Sequence, residues 1–550
     1  MNKKRRADIW SFISIMIFII YAIVLVFPLF TLLVKSFVDG ETHSFSLAYF
    51  TKFFTESYYY GALFNSLKVT ICVTALCVLI ATPLAYIMET VKIKGKSLIR
   101  ILILISSMQA PFIGAYSWIL LLGRSGAVTK FLENTFHMNM PDIYGFSGIL
   151  LVLTLQLSPL IFMYVSGALK SVDNSLLEAA ESMGCTGFKK MIKVIVPLIL
   201  PTILAGSLLV FMRALADFGT PMLIGEGYQT VPVLIFNEFI SEMGGDDGFA
   251  AAISVIVIVF ATLIFLLQKY VSNKKAFTMS ALHPIEAKEV KGIKNILYHA
   301  LVYIFTFIAL LPQFVVIYTS FLNTSGRIFT KGFSLNSYKV AFSKVGGSIK
   351  NTFVLAIIAI TIIVLLSILI AYITVRRRNI ITNLLDVLTM FPYIVPGSIL
   401  GIALLLTFNK KPLMLSGTAI IMIIAFAIRR LPYTVRSSAA TVHQISISTE
   451  EAAISLGASN IKTFVKVTLP MMLPGVISGA ILSWITIISE LSTSIILYTA
   501  KTKTMTIAIY TEVLRGNYGT AACLATILTV ITVISLLIFF KISGKKEITM

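Results

Sequence analysis

Long apolar runs separated by short polar stretches fill most of this chain. A helix of about 20 apolar residues can cross a hydrocarbon core about 30 Å thick. Runs of that length lie near residues 9–34, 62–88, 98–123, 146–169, 191–214, 249–268, 296–321, 352–375, 381–408, 413–433, 464–488 and 519–540. The pattern therefore predicts an all-α membrane protein with twelve transmembrane helices.

The composition agrees with a location in a lipid bilayer. Of the 550 residues, 57% are hydrophobic and 13% are charged, and the mean hydropathy is +0.92. Soluble domains carry about 25% charged residues, so a soluble enzyme and a disordered chain are excluded. A net charge of +21 would suggest nucleic acid as a partner of a soluble protein. Here the basic residues lie in short tracts between apolar runs, so no nucleic acid is expected.

Those basic tracts predict the orientation, because cytoplasmic loops of membrane proteins are enriched in Lys and Arg. With the first tract inside, alternation of the runs places the later tracts on the same side. The tracts are Lys3, Lys4, Arg5 and Arg6; Lys92, Lys94, Lys96 and Arg100; Lys189, Lys190 and Lys193; Arg376, Arg377 and Arg378; and Lys541, Lys545 and Lys546. We therefore expect a multi-pass protein of the cytoplasmic (inner) membrane with both termini cytoplasmic.

The two halves of the chain repeat each other. The segment GALFNSLKVT…PLAY (61–86) matches IKNTFVLAII…IAY (349–372), which aligns Asn65 with Asn351. Both asparagines are expected to cap helices. We expect a six-span half at 1–268, a cytoplasmic linker with six lysines at 269–294, and a second six-span half at 295–550. Because each half has an even number of spans, both insert the same way, related by a pseudo-two-fold axis along the membrane normal.

A short motif occurs once in each half, between the fourth and fifth spans. The first copy contains Glu178, Ala179, Ala180, Gly184 and Pro197, and the second contains Glu451, Ala452, Ala453, Gly457 and Pro470 at identical spacing. Each copy predicts a short cytoplasmic helix that Ser175 or Ser448 caps and that the glycine ends. A helix that only joins two spans would explain one copy. Two copies in register favour a rigid helix that binds a cytoplasmic partner.

This motif resembles the coupling loop of ABC importer permeases, in which each such helix docks on an ATPase subunit. The resemblance implies a separate cytoplasmic ATP-binding subunit, in two copies, and an extracytoplasmic substrate-binding protein. The fused chain, with LPYTVRSSAATVHQISISTEEAAISLGA (431–458) and ADFGTPMLIG (216–225), resembles ferric-iron permeases. This second resemblance implies ferric iron uptake by alternating access. Phosphonate, thiamine and polyamine permeases are similar, so these cargoes stay open.

The chain has no G-x4-G-K-[ST] sequence for binding nucleotide phosphates, so we expect a permease and not an enzyme. Its five histidines are scattered, and neither a metal site nor a cofactor is expected. The alternatives are an ion-gradient-driven secondary transporter, which would need ionisable residues within the spans, and a membrane scaffold without transport activity.

Two acids form a further candidate site. Asp217 and Glu490 are equivalent in the repeat, and each follows the fifth span of its half. Acids that face each other across a pseudo-two-fold axis would line a cation path. The simpler alternative treats both as loop residues, with Asp217 paired to Arg213 one helical turn earlier.

Overall fold

The computed structural model describes residues 9–40, 42–138, 140–240, 246–274, 285–325 and 328–543. The basic residues at positions 3–6, 545 and 546 lie outside the described residues, as does the middle of the polar linker. The orientation that they indicate, with both termini cytoplasmic, therefore stays a prediction.

The first half of the chain is helical. Its helices are α1 (Ile9–Tyr21), α2 (Phe27–Ser36), α3 (Ala48–Thr55), α4 (Ser57–Thr90), α5 (Lys96–Ser107), α6 (Pro111–Leu122), α7 (Ala127–Phe136), α8 (Phe146–Lys170), α9 (Asn174–Ser182), α10 (Gly187–Lys190), α11 (Val196–Leu215), α12 (Gly219–Ile224), α13 (Val231–Ile240) and α14 (Asp247–Lys274). Five-residue π-helical segments, Ala22–Val26 and Met191–Ile195, join α1 to α2 and α10 to α11.

The second half adds a small hairpin to the same design. Its elements are α15 (Ile293–Ser320), β1 (Leu322–Ser325), β2 (Ile328–Phe333), α16 (Asn336–Arg376), α17 (Ile380–Met390), α18 (Gly397–Thr407), α19 (Ala419–Gln444), α20 (Ile447–Ser455), α21 (Asn460–Thr463), α22 (Leu469–Ile488), α23 (Ser494–Leu497), α24 (Met505–Leu514) and α25 (Tyr518–Ser543). A 3-10 turn, Phe391–Tyr393, follows α17, and a π-helical segment, Phe464–Thr468, precedes α22. In the part of the chain that the structure describes, the architecture is thus all-α apart from one hairpin, as the hydrophobic pattern predicts.

Within the described residues, nine helices are long and apolar enough to cross a membrane, or eleven if two bent pairs each count as one span. The second pair, Ile380–Tyr393 with Gly397–Thr407, bends by 113°, where Pro392 and Pro396 interrupt the regular backbone hydrogen bonds. The remaining predicted span corresponds to α19, which has 26 residues but contains three arginines. A multi-pass membrane protein is confirmed, whereas the number twelve stays a prediction.

The chain divides into two compact units, and each contains parts of both sequence halves. Unit one comprises 1–53, 235–256 and 323–544, as far as these are described. In it, α1 packs against α16 and α17, and α2 packs against α18. Unit two comprises 54–234, 257–322 and 545–550, likewise as far as described, and α15 packs there against α5 and α6. The first span of each half is therefore in the unit formed by later spans of the other half.

Candidate functional site

The two copies of the motif form helices α9 and α20, called here the first and second motif helix. The capping residues differ from those expected at Ser175 and Ser448. Asp173 caps the first, where its Oδ1 accepts a hydrogen bond from the N–H of Ser175 at 2.9 Å. Ser446 caps the second, and its Oγ accepts from the N–H of Ser448 at 3.3 Å. Both helices therefore begin earlier than predicted, because a polar residue two positions upstream satisfies the free backbone N–H groups.

Each motif helix ends at the predicted glycine. Gly184 has φ +79° and Gly457 has φ +89°, a conformation that side chains other than glycine rarely adopt. The N–H groups of Cys185 and Ala458 then donate to the carbonyls of Ala180 and Ala453 at 2.9 and 3.1 Å. This bond closes the last turn as a Schellman motif. The glycine is therefore needed for the backbone angle alone, since a β-carbon added at either position would have nothing within 4 Å.

The motif residues present an open face on each helix. Glu178, Ala179, Glu451 and Ala452 are exposed, whereas Ala180 is buried. The residue before each glycine is apolar and almost fully exposed, with Met183 at 81% and Leu456 at 89%. The two repeats thus expose an apolar side chain at the same position.

The two motif helices are held by different contacts. In the first, Leu177 is buried, and Glu181 forms an ion pair with Lys190 that lowers the pKa of this carboxyl group. In the second, Glu450 is largely buried, and its Oε1 accepts a hydrogen bond from Nε of Arg376 at 2.9 Å.

The chain that follows each motif helix enters the next span through a π-helical segment. The N–H of Val196 donates to the carbonyl of Met191, and that of Leu469 donates to that of Phe464, each five residues earlier. Pro197 and Pro470 come next and have no N–H to continue the regular α-helical pattern. The wider turn therefore lies at the same repeat position in both halves, between motif helix and span. Such turns often mark functional positions.

The two candidate acids have the same local geometry. The N–H of Thr220 donates to Oδ2 of Asp217 at 3.0 Å, and the N–H of Thr493 donates to Oε1 of Glu490 at 3.0 Å. Both acids lie in the short segments that follow α11 and α22, and both are buried. The hydrogen bond to Asp217 comes from Thr220, where Arg213 was the expected partner.

The surroundings of the two acids differ in charge. Glu490 forms ion pairs with Arg429, at 3.0 Å, and with Arg430, both on α19. The repeat places uncharged Gln156 and Leu157 at the corresponding positions of α8. Sequence reasoning missed these arginines as part of the site, although two adjacent basic residues inside an apolar run are a readable signal.

These surroundings shift the two carboxyl pKa values in opposite directions. Asp217 and Glu490 lie just beyond the ends of their candidate spans. Burial raises the pKa of Asp217 from 3.8 to about 6. Burial acts in the same direction on Glu490, but the charges of Arg429 and Arg430 outweigh it and lower the pKa of that carboxyl group. Because the two acids lie in different units, the prediction that they line one cation path stays a prediction.

Asn65 and Asn351 lie inside α4 and α16, so the expectation that they cap helices is wrong. Nδ2 of Asn65 donates to the carbonyl of Gln229 at 3.0 Å, and Nδ2 of Asn351 donates to that of Lys501 at 2.8 Å. Each amide thus holds the loop that leads into α13 or α24. The two halves therefore share this asparagine-to-loop hydrogen bond as well as the sequence repeat.

Comparison with known proteins agrees with this architecture. A family model described as the inner membrane component of binding-protein-dependent transport systems matches residues 1–276 and 363–546. The chain is 30% identical over 558 residues to the ferric transport system permease protein FbpB of Actinobacillus pleuropneumoniae, covering 98% of this chain and 79% of that protein. A putative ferric transport system permease protein FbpB 1 of Haemophilus influenzae is also 30% identical, over 90% of this chain and 78% of its own length.

A shorter relative carries a different name. The putative 2-aminoethylphosphonate transport system permease protein PhnU of Salmonella typhimurium is 25% identical over 248 residues, covering 44% of this chain and 86% of that protein.

Proposed function

Because the chain belongs to the family of inner membrane components of binding-protein-dependent transport systems, we propose that it is the permease of an ATP-driven importer. It carries its cargo by alternating access through twelve spans. The duplicated motif helix supports this proposal best, since both copies share a Schellman end and an exposed apolar side chain, Met183 or Leu456. These helices are the contact points for a cytoplasmic ATPase.

The number of motif helices sets the expected number of ATPase subunits. Two copies of one surface bind two copies of one partner, so we propose that two ATP-binding subunits attach to this chain. A substrate-binding protein delivers the cargo on the opposite side of the membrane. The exposed motif residues form the coupling contact together with Met183 and Leu456; they are Glu178, Ala179, Glu451 and Ala452.

Ferric iron is the cargo that we propose. Its support is the name of the two relatives that match along nearly the whole chain at 30% identity. A phosphonate is the second candidate, supported by the relative that matches 44% of the chain. Thiamine and polyamines rest on the sequence resemblance alone.

The test is uptake into vesicles that contain this chain, its ATPase and its binding protein. We expect ATP-dependent uptake of labelled ferric ion by the wild type, and its loss in the double variant Gly184→Asp, Gly457→Asp. Aspartate tolerates the left-handed conformation better than most residues, so the charge is placed on the contact surface of a folded chain. Gly227→Asp is the control, because Gly227 is exposed in a loop and has free space around it.

Two other outcomes would contradict the proposed energy source or the proposed cargo. Uptake without ATP that follows an ion gradient would replace this proposal by a secondary transporter. ATP-dependent uptake of labelled 2-aminoethylphosphonate, with none of ferric ion, would keep the importer and change its cargo.

A further inference from the structure

We propose that Arg376, at the inner end of α16, is a positioning residue that fixes the second motif helix to this span. Movement of that helix then passes directly to α16, whereas the repeat positions that correspond to this pair in the first half, Thr90 and Leu177, carry no charge. The inference rests on the proposed function, since it concerns how ATPase movement reaches the spans.

Arg376 holds the second motif helix at two points. Its Nε donates to Oε1 of Glu450 at 2.9 Å, and its Nη2 donates to the carbonyl of Ile445 at 2.6 Å. Ile445 directly precedes the cap Ser446, and Glu450 is in the first turns of α20. Because a planar guanidinium donates in fixed directions, two bonds from one group set an angle as well as a distance.

An aromatic cluster holds the other end of the same loop. Tyr372 lies one helical turn before Arg376, and its ring is 4.6 Å from that of Phe464, in the π-helical segment after the motif helix. Trp10 contacts both, with centroid distances of 4.6 Å to Tyr372 and 4.9 Å to Phe464. The last turns of α16 therefore touch the chain before, within and after the second motif helix.

The burial of the charge pair indicates what it is for. The Arg376 and Glu450 side chains are 10% and 11% exposed. A well-packed apolar pair would often be as stable as a buried ion pair, because the charges lose their hydration. The pair is therefore better explained by the geometry that it imposes than by stability.

The first half has no such pair at the equivalent positions. There the repeat places Thr90 and Leu177 where the second half has Arg376 and Glu450. The described ionic contacts of the first motif helix are to its own loop and to the linker instead. Glu181 pairs with Lys190, and Lys288 of the linker lies 3.9 Å from the same carboxylate.

The linker itself is attached to the end of α4. The N–H of Lys288 donates to the carbonyl of Thr90 at 2.8 Å, and the N–H of Lys92 donates to the carbonyl of Lys288 at 3.1 Å. One motif helix is thus fixed to a span by a buried charge pair, and the other has its ion pairs within its own loop and with the linker.

The test compares the number of ATP molecules hydrolysed per cargo ion taken up in vesicles. The double variant Arg376→Thr, Glu450→Leu copies the first half into the second and leaves no unpaired buried charge. We expect this ratio to rise by about fivefold or more, the lower range of allosteric coupling, with the ATPase still bound.

Arg376→Lys keeps the charge but lacks the two-point fork, so we expect an intermediate ratio. Arg378→Gln removes a charge from an exposed side chain nearby and serves as the control.

A wild-type ratio in the double variant would overturn the proposal, whereas absence of ATP-dependent uptake by the wild type would overturn the proposed function instead. If the double variant does not fold, spin labels at positions 378 and 455 of an otherwise cysteine-free chain give a second measurement. We expect their distance to be equal with and without trapped ATP. A change of more than about 5 Å, one helical turn, would show that α20 moves independently of α16.

Discussion

At the scale of single residues, the cluster around Glu490 depends on a glycine of another helix. A β-carbon at Gly397, the first residue of α18, would overlap the guanidinium of Arg429 and lie 2.7 Å from Oγ1 of Thr493. The missing side chain is what allows Arg429 to reach Glu490 and Thr493, at 3.0 and 2.6 Å.

We therefore expect Gly397→Ala to lower the stability of the folded chain by about 1–3 kcal/mol, the usual cost of overpacking. The measurement is the thermal unfolding midpoint in detergent. Gly346→Ala is the matched control, because Gly346 lies inside α16 with nothing within 4 Å of an added β-carbon. An equal effect of both substitutions would mean that the arginine does not need this space.

Asp217 and Glu490 are equivalent in the repeat, but we expect their replacement by the neutral amides to change the stability of the chain in opposite directions. The pKa of Asp217 is raised from 3.8 to about 6 by burial, so stability falls as the pH rises from about 4 through about 6. At 1.36 kcal/mol per unit, Asp217→Asn should stabilise the chain by up to about 3 kcal/mol at pH 7.5. The gain should shrink as the pH is lowered toward 4.

Glu490→Gln should destabilise the chain over the same pH range. It leaves Arg429 and Arg430 buried without a counter-charge, which costs about 3–5 kcal/mol when a buried pair is broken. Unfolding midpoints of both variants at pH 4.5 and 7.5 test the contrast. A loss of stability in Asp217→Asn at pH 7.5 would contradict it.

At the scale of elements, the π-helical segments before α11 and α22 are expected to act as hinges. Replacing Pro197 and Pro470 by alanine restores an N–H to each position, so the chain can continue as a regular α-helix. We expect the double variant Pro197→Ala, Pro470→Ala to be at least as stable as the wild type, with slower ATP-dependent uptake. Pro201→Ala, Pro474→Ala is the control, since these prolines lie further along the same helices. Unchanged uptake in the first variant would rule out the hinge.

The apolar residues at the ends of the motif helices are expected to bind the ATPase. Met183→Asp with Leu456→Asp places charges on the proposed contact surface, and we expect at least tenfold less ATPase to co-purify, a loss of about 1.4 kcal/mol. Ser459→Asp adds one negative charge in the loop of the second motif helix while keeping a side chain that caps α21, and it is compared with Leu456→Asp alone. Equal loss in this control would point to a general effect of charge.

The motif helices are predictable from the sequence because their signals are local: a glycine and a proline at fixed spacing after the helix. The structure adds that each glycine has a left-handed backbone conformation. Their caps were misplaced by two residues because Ser175 and Asp173, or Ser448 and Ser446, are equally suited to capping. The roles of Asn65, Asn351, Arg376 and Glu450 were not predictable, because their partners lie far away along the chain.

At the scale of the whole molecule, neither sequence half contains all the contacts of one compact unit. Helices α1 and α2 pack against α16, α17 and α18, while α15 packs against α5 and α6. The internal repeat is visible in the sequence as constant residue offsets. The sequence does not show that the first span of each half packs against helices of the other half, an arrangement called here the exchange of first spans. Hydrophobic periodicity shows that a helix has an apolar face and does not identify the helix that covers it.

A chain divided within the linker is therefore expected to assemble only when both fragments are present. Fragments 1–274 and 285–550, expressed together with a tag on one, should co-purify. Each expressed alone should be degraded or aggregate, because α1 and α15 lack their packing partners. Removal of residues 9–36 from the first fragment is the informative control, and it should weaken the association. Two fragments that are each stable and separate would contradict this arrangement.

The exchange of first spans also has a consequence for synthesis. Ser36, the end of α2, leaves the ribosome 300 residues before Asn336, the start of α16. At about 5–20 residues per second, α1 waits roughly 15–60 s in the bilayer before the synthesis of α16 begins, and α2 waits longer because its partner α18 is made later. During that time Trp10 and the other side chains of α1 that are buried in the finished protein face lipid or the insertion machinery. Biogenesis of this chain therefore requires its earliest helices to be tolerated in an unassembled state until translation is well past the midpoint.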